Sequence, residues 1–141
     1  MLLAEDNPIN QKLAKLILHK QGYHVTVVGN GRAALAALET QPVDLVLMDI
    51  QMPEMSGIDA TQTLRRLEVG TDRHLPIIAM TAHAMKGDAE ACLAAGMDDY
   101  IAKPVQAQEL YRVIERVMAR FAPADISITP KLPAQKSWPN T

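Results

Sequence analysis

Five polar residues are candidates for chemistry, because each one lies at the end of an apolar run. Glu5 and Asp6 follow MLLA, Asp49 follows LVLM, Thr81 follows IIAM and Lys103 follows YIA. Carboxylates that lie close together raise one another's pKa unless a cation lies between them. Mg²⁺ prefers such oxygen ligands and commonly binds through one or two carboxylates plus phosphate oxygens. The three acids therefore predict a divalent metal site.

The remaining two residues, Thr81 and Lys103, could bind a phosphoryl group beside this metal site. A metal ion, the Lys103 ammonium and the Thr81 hydroxyl could together neutralise the oxygens of a phosphoryl group during its transfer. Asp49 is then the candidate nucleophile. Taken alone, Asp49 could as well be the cap of a turn or of a helix. Whether the five residues converge depends on the elements that carry them.

The apolar pattern predicts five strands alternating with five helices. Residues 45–48 and 76–80 are continuous apolar runs, which suit strands buried on both faces, whereas Val25 and Val27 alternate with polar residues as in a half-exposed edge strand. Helical spacing predicts the first helix from Leu13, Leu16 and Ile17 and the fifth from Leu110, Val113, Ile114 and Val117. In the third helix, Ile58, Thr61, Leu64 and Leu67 trace the expected inner face.

This alternation specifies an α/β fold with a doubly wound, five-stranded parallel sheet, because parallel neighbours require crossover helices. In open sheets of this kind, ligands bind beyond the carboxyl ends of the strands. Four of the five strands place the five polar residues there, two after the first strand and one after each of the others. We therefore expect these residues to converge.

Length and composition are those of one domain. The chain has 141 residues and a net charge of -2, and no broad basic surface recommends nucleic acid as a partner. No apolar stretch approaches the roughly 20 residues of a membrane-spanning helix, and the start lacks a signal-peptide pattern. We expect a cytoplasmic domain over residues 1–121 without direct membrane contact, followed by a linker or disordered tail over 122–141, which contains four prolines and no periodic apolar face.

Four segments together resemble the response-regulator receiver domains of bacterial two-component signalling. They are LLAEDNPIN, DLVLMDIQMPEMSG, PIIAMTAHAM and GMDDYIAKPV, and the resemblance covers roughly residues 1–120. It implies the flavodoxin-like strand order 2-1-3-4-5 with five helices. It also implies a histidine kinase or a histidine-phosphotransfer domain as the partner.

The resemblance assigns the roles of the acidic residues. Asp49 would be the phosphoacceptor, and Asp6, Asp49 and the backbone carbonyl of Gln51 would bind Mg²⁺ or Mn²⁺, with Glu5 acting indirectly. Gln51 and His83 occupy the two positions that tune the lifetime of the aspartyl phosphate in this family. Such a domain catalyses its own phosphorylation and dephosphorylation.

The resemblance also assigns the switch and the phosphate-binding residue. Thr81 would be the switch hydroxyl, and Tyr100 the aromatic residue whose rotamer follows it. Lys103 would bind the phosphoryl group, and its bond to Pro104 is expected to be cis. The purely structural alternatives are that Thr81 caps a helix and that Tyr100 packs against its neighbours without a switch role.

Two questions of context stay open at this point. The segments EDNPIN and MDIQMPEMSG resemble receivers of hybrid sensor histidine kinases, so the chain is expected to be either the cytoplasmic part of such a kinase or a free-standing regulator. The alternative function is a docking module that keeps the fold without phosphotransfer. A flavodoxin-like cofactor binder is disfavoured, because no Ser/Thr/Gly-rich phosphate loop follows the first strand.

Overall fold

A five-stranded parallel sheet forms the centre of the computed structural model, which describes residues 1–82 and 86–121. The strands are β1 (Leu2–Ala4), β2 (Thr26–Val28), β3 (Val46–Asp49), β4 (Ile77–Thr81) and β5 (Asp99–Ala102). The helices are α1 (Pro8–Lys20), α2 (Gly31–Thr40), α3 (Gly57–Glu68), α4 (Lys86–Ala95) and α5 (Ala107–Phe121). The strand order is β2-β1-β3-β4-β5, which confirms the predicted fold. No helix in the described ranges is long and apolar enough to cross a membrane.

The two faces of the sheet bury different helices. Leu3, Leu47 and Ile101 point to the face that is covered by α1 and α5. Val46 and Ala79 point to the opposite face, where they pack with residues of α2, α3 and α4. The three central strands are buried throughout, while β2 at the edge is half-buried, as its alternating pattern predicted.

Helix α1 begins as predicted, and it buries only some of its apolar residues. The Asn7 carboxamide oxygen accepts hydrogen bonds from the backbone N–H groups of the first turn, and Pro8 follows it. The buried residues are Ala14, Ile17 and Leu18, whereas Leu13 is 38% and Leu16 59% exposed. The helical spacing of Leu13 and Leu16 therefore predicts the helix but does not place these two residues in the core. Both faces of α1 have helical apolar spacing, and the face that contains the small Ala14 lies against the sheet.

Helix α3 shows the same effect of small residues. It buries Gly57, Ala60 and Thr61, while Leu67, predicted on the inner face, is 65% exposed. Small side chains allow the helix to approach the sheet closely, and Leu67 lies beyond this contact. This close packing also buries one polar group. Within the part of the chain that is described, the buried Thr61 hydroxyl has no hydrogen-bond partner.

Replacing Thr61 with valine should stabilise the domain by about 1 kcal/mol, because it removes an unsatisfied buried hydroxyl while keeping the shape of the side chain. Urea denaturation measures the difference. Thr63→Val is the matched control on the same helix, since the Thr63 hydroxyl accepts a hydrogen bond from Arg66 and is not fully buried. A loss of stability in Thr61→Val would show that its hydroxyl has a partner in solution.

A polar cluster fixes the start of β5. The Asp98 carboxylate accepts hydrogen bonds from Arg65 Nη2 at 3.1 Å and from the Ile77 N–H at 2.8 Å, and it contacts His74 Nε2 at 2.8 Å. The His74 ring stacks on Phe121 at the end of α5, with 4.9 Å between ring centroids. The cluster thus ties α3, β4 and α5 to β5, the strand that leads to Lys103.

Candidate functional site

The predicted polar residues converge at the carboxyl edge of the sheet. One carboxylate oxygen from each of Glu5, Asp6 and Asp49 lies within 4.8 Å of the other two. Lys103 Nζ lies 3.1 Å from Asp49 Oδ2 and 3.4 Å from Glu5 Oε1. Thr81 ends β4, one residue beyond the register partner of Asp49. The short apolar strands place these groups together because they run parallel and end at the same edge.

The acids differ in their access to solvent. Glu5 is 1% and Asp49 2% exposed, whereas Asp6 lies exposed at the rim. Burial raises the pKa of the Glu5 carboxyl, and the hydrogen bond from the Asn7 N–H opposes this shift. A buried carboxylate is stable only when donors or a cation compensate its charge.

Lys103 supplies part of that compensation. Burial alone would lower the pKa of its ammonium group, but contacts with Asp49 and Glu5 outweigh burial and raise it. The ammonium therefore stays charged at neutral pH. The peptide bond between Lys103 and Pro104 is cis, as predicted.

The loop after β3 folds back onto the phosphoacceptor candidate. The Gln51 N–H donates to Asp49 Oδ1 at 3.1 Å, which places the Gln51 main chain beside that carboxylate. The N–H of Gly57, at the start of α3, donates to the Ile50 carbonyl at 3.3 Å. A Cβ atom at Gly57 would lie 2.2 Å from the Asp49 carbonyl oxygen. A side chain at position 57 would therefore force α3 away from the end of β3.

The residues of the predicted switch lie on neighbouring strands. The buried Thr81 hydroxyl donates to Asp88 Oδ2 at 3.3 Å, in the first turn of α4. Tyr100 on β5 is half-buried and packs on the face of the sheet covered by α2, α3 and α4. The switch roles of Thr81 and Tyr100 stay predictions, as do the lifetime role and carbonyl ligation of Gln51. His83 lies outside the described residues.

Sequence reasoning missed three polar residues at this edge. Asp88 holds the Thr81 hydroxyl, while Asn10 and Gln11 donate hydrogen bonds to Glu5. They do not follow apolar runs as the five predicted residues do. Only the position of the helices that carry them, α4 and α1, brings them to the site.

The donor set fits a divalent cation. When all three carboxyl groups are ionised, they and the ammonium carry two net negative charges, which one Mg²⁺ would balance. Asp6 and Asp49 could bind such an ion directly, and the exposed rim at Asp6 leaves room for the waters that Mg²⁺ usually retains. Lys103 and Thr81 could then contact phosphate oxygens.

Residues 1–115 match the model of the response regulator receiver domain family. The chain belongs to this family. A hybrid signal transduction histidine kinase of Dictyostelium discoideum is 44% identical to the receiver domain over 126 residues, which are 86% of the present chain and 7% of that kinase. The sensor histidine kinase GacS of Pseudomonas protegens is 45% identical over 117 residues, 81% of the chain and 12% of that kinase.

A solved structure shows the same fold. The receiver domain of the sensor histidine kinase PA1611 from Pseudomonas aeruginosa has a TM-score of 0.75 and 44% identity, over 84% of this chain and 95% of that one. That crystal structure contains a magnesium ion in the active-site cleft. The present chain is thus a receiver domain of the kind found in hybrid histidine kinases, and it spans about a tenth of the length of these curated relatives.

Proposed function

We propose that Asp49 accepts a phosphoryl group from a phosphohistidine in a reaction that depends on Mg²⁺ or Mn²⁺. The observation that carries this proposal is the grouping of the buried Asp49 carboxylate with Glu5 and Asp6, with the Lys103 ammonium at 3.1 Å. A scaffold without phosphotransfer has no need to hold three repelling carboxylates together. The charge of the site therefore favours transfer over simple docking.

Each residue of the site has a separate role in the transfer. An Asp49 oxygen attacks phosphorus, the bond between phosphorus and the imidazole nitrogen breaks, and the imidazole leaves with the bonding electron pair. Lys103 then pairs with the phosphoryl oxygens, and the Thr81 hydroxyl donates to one of them. A bound Mg²⁺ supplies positive charge for the oxygens that gain negative charge in the transfer. The same site can hydrolyse the aspartyl phosphate.

The proposed context is a hybrid histidine kinase. The relatives named above are sensor or hybrid histidine kinases, and this chain matches only a small part of each. The receiver would lie in the cytoplasm and exchange phosphoryl groups with a histidine kinase or a histidine-phosphotransfer domain, as a switch or as a relay intermediate. Its partners would be proteins, without contact to nucleic acid or lipid.

Acetyl phosphate tests transfer without a protein partner. In the presence of Mg²⁺, the intact mass of the 141-residue chain should rise by one phosphoryl group, and chelation of the metal with EDTA should prevent this. No gain in mass, together with no Mg²⁺ binding at millimolar concentration, would favour the docking module instead.

The exposed apolar stripe of α1 predicts where the partner binds. The stripe is formed by Ile9, Leu13 and Leu16, which are 76%, 38% and 59% exposed. It begins beside the site, because Asn10, the neighbour of Ile9, contacts the Glu5 carboxylate. A domain that delivers a phosphohistidine to Asp49 would approach this edge, and an apolar helical surface suits a helical partner.

The double variant Leu13→Gln/Leu16→Gln should slow transfer from a phosphohistidine-bearing partner domain by about tenfold, the effect of losing about 1.4 kcal/mol of binding. Labelling by acetyl phosphate should not change, because it needs no docking surface. Leu67→Gln, at a leucine that is 65% exposed on α3, is the control. Equal slowing with both donors would place the defect in the site itself.

A further inference from the structure

Two side-chain amides from the first turns of α1 converge on Glu5. Gln11 Nε2 donates to the Glu5 carbonyl oxygen at 2.6 Å, and Asn10 Nδ2 donates to Glu5 Oε2 at 3.4 Å. Both side chains are half-buried. Neither residue is one of the five polar groups that follow the strands.

The amides complete a set of donors around Glu5. Its Oε2 atom accepts from the Asn7 N–H at 3.1 Å and from Asn10, while its Oε1 atom lies 3.4 Å from Lys103 Nζ. Both carboxylate oxygens are therefore held, and the carboxylate has a defined orientation within 4.8 Å of Asp6 and Asp49 oxygens.

Gln11 fixes the backbone rather than the carboxylate. The Glu5 N–H donates to the Val28 carbonyl of β2 at 3.0 Å, but β1 ends at Ala4, so the chain turns away from the sheet directly after this bond. The Gln11 amide satisfies the Glu5 carbonyl in this turn. It thereby fixes the peptide unit between Glu5 and Asp6.

We propose that Asn10 and Gln11 are positioning residues of the metal site, which set its Mg²⁺ affinity by holding Glu5 and the turn that carries Asp6. The inference rests on the proposed function, since it takes Mg²⁺ as the ion. Hydrogen bonds to ligating or neighbouring carboxylates orient them, and their loss typically weakens metal binding by 10–100-fold. Asn10 acts on the carboxylate, and Gln11 on the backbone.

The test is the Mg²⁺ affinity of Asn10→Leu and Gln11→Met in the full chain, measured by calorimetric titration with MgCl₂. These changes remove the donor and roughly keep the size of the side chain. Each should raise the dissociation constant by about tenfold. Gln62→Met, at an exposed position of α3, is the control and should not change it. Circular dichroism checks that the variants fold. If one variant does not fold, the Mg²⁺ affinity of the other still tests the proposal.

A double-mutant cycle separates positioning from a general structural role. If Asn10 acts through Glu5, Asn10→Leu should have almost no further effect on Mg²⁺ affinity in a Glu5→Gln background. Equal effects in both backgrounds, or native affinity in both single variants, would overturn the proposal. Failure of the proposed function is distinct, because it would appear in the native chain as a lack of acetyl phosphate labelling, whereas failure of the present proposal appears in the variants as an unchanged Mg²⁺ affinity.

Discussion

Gly57→Ala should lower the free energy of unfolding by about 3 kcal/mol, at the upper end of the usual cost of overpacking. The added Cβ would lie 2.2 Å from the Asp49 carbonyl oxygen and 2.8 Å from Met48 Cγ. The carbonyl is a backbone atom and cannot rotate away, so α3 and the end of β3 must separate. This separation should also move the Asp49 carboxylate and slow its phosphorylation.

Urea denaturation in EDTA measures the effect of Gly57→Ala on stability, and the rate of labelling by acetyl phosphate measures its effect on the site. Gly87→Ala is the matched control, because a Cβ at position 87 of α4 would meet no atom of residues 1–82 and 86–121 within 4 Å. Alanine is favoured over glycine in a helix by roughly 0.5–1 kcal/mol, so this control should be slightly stabilised. Native stability of Gly57→Ala would contradict the close approach of α3 to Asp49.

Lys103→Ala should destabilise the metal-free domain by about 3 kcal/mol, because it leaves Glu5 and Asp49 as buried carboxylates without their ammonium partner. Saturating Mg²⁺ should recover much of this loss, since a divalent cation supplies positive charge to the same carboxylates and binds only the folded state. Mg²⁺ should therefore stabilise the variant more than the native domain.

The pH dependence of this effect has a defined sign. The contacts with Asp49 and Glu5 raise the pKa of Lys103 in the folded state. Stability that comes from a raised lysine pKa is fully present below the pKa of the unfolded chain and is lost as the pH rises through the folded pKa. The difference between native and Lys103→Ala should therefore shrink at alkaline pH.

Urea denaturation with EDTA and with Mg²⁺ measures both effects of Lys103→Ala. Lys12→Ala, at an exposed lysine of α1, controls for the general loss of a positive charge. Lys103→Arg keeps the charge and should fall between native and Lys103→Ala. An identical loss of stability with and without Mg²⁺ would show that the ammonium and the metal do not compensate the charge of the same carboxylates.

The convergence of the site was predictable because it depends on strand direction alone. Glu5, Asp49, Thr81 and Lys103 follow apolar runs, and parallel strands end at one edge whatever the details of packing. The order of the strands was not predictable in this way. It came from the resemblance to receiver domains, and the observed order confirms it.

Periodicity could not show which helix face meets the sheet. On α1, Leu13 and Leu16 have the same apolar spacing as the buried face, yet the sheet contacts Ala14 and Ile17. The choice depends on how closely the backbone can approach, and Gly57 shows the extreme case on α3.

Polar contacts between distant residues were also beyond prediction from the sequence. Arg65 and Asp98 are 33 residues apart, and His74 and Asp98 are 24 residues apart. No local spacing rule connects them. The same holds for the hydrogen bond between the Thr81 hydroxyl and Asp88, which depends on where α4 lies.

The central claim is that Asp49 accepts the phosphoryl group, and intact-mass measurement of Asp49→Asn tests it most directly. After incubation with acetyl phosphate and Mg²⁺, the native chain and Asp72→Asn, which changes an exposed acid, should each gain one phosphoryl group. Asp49→Asn should gain none. A phosphoryl group on Asp49→Asn at the native rate would contradict the account.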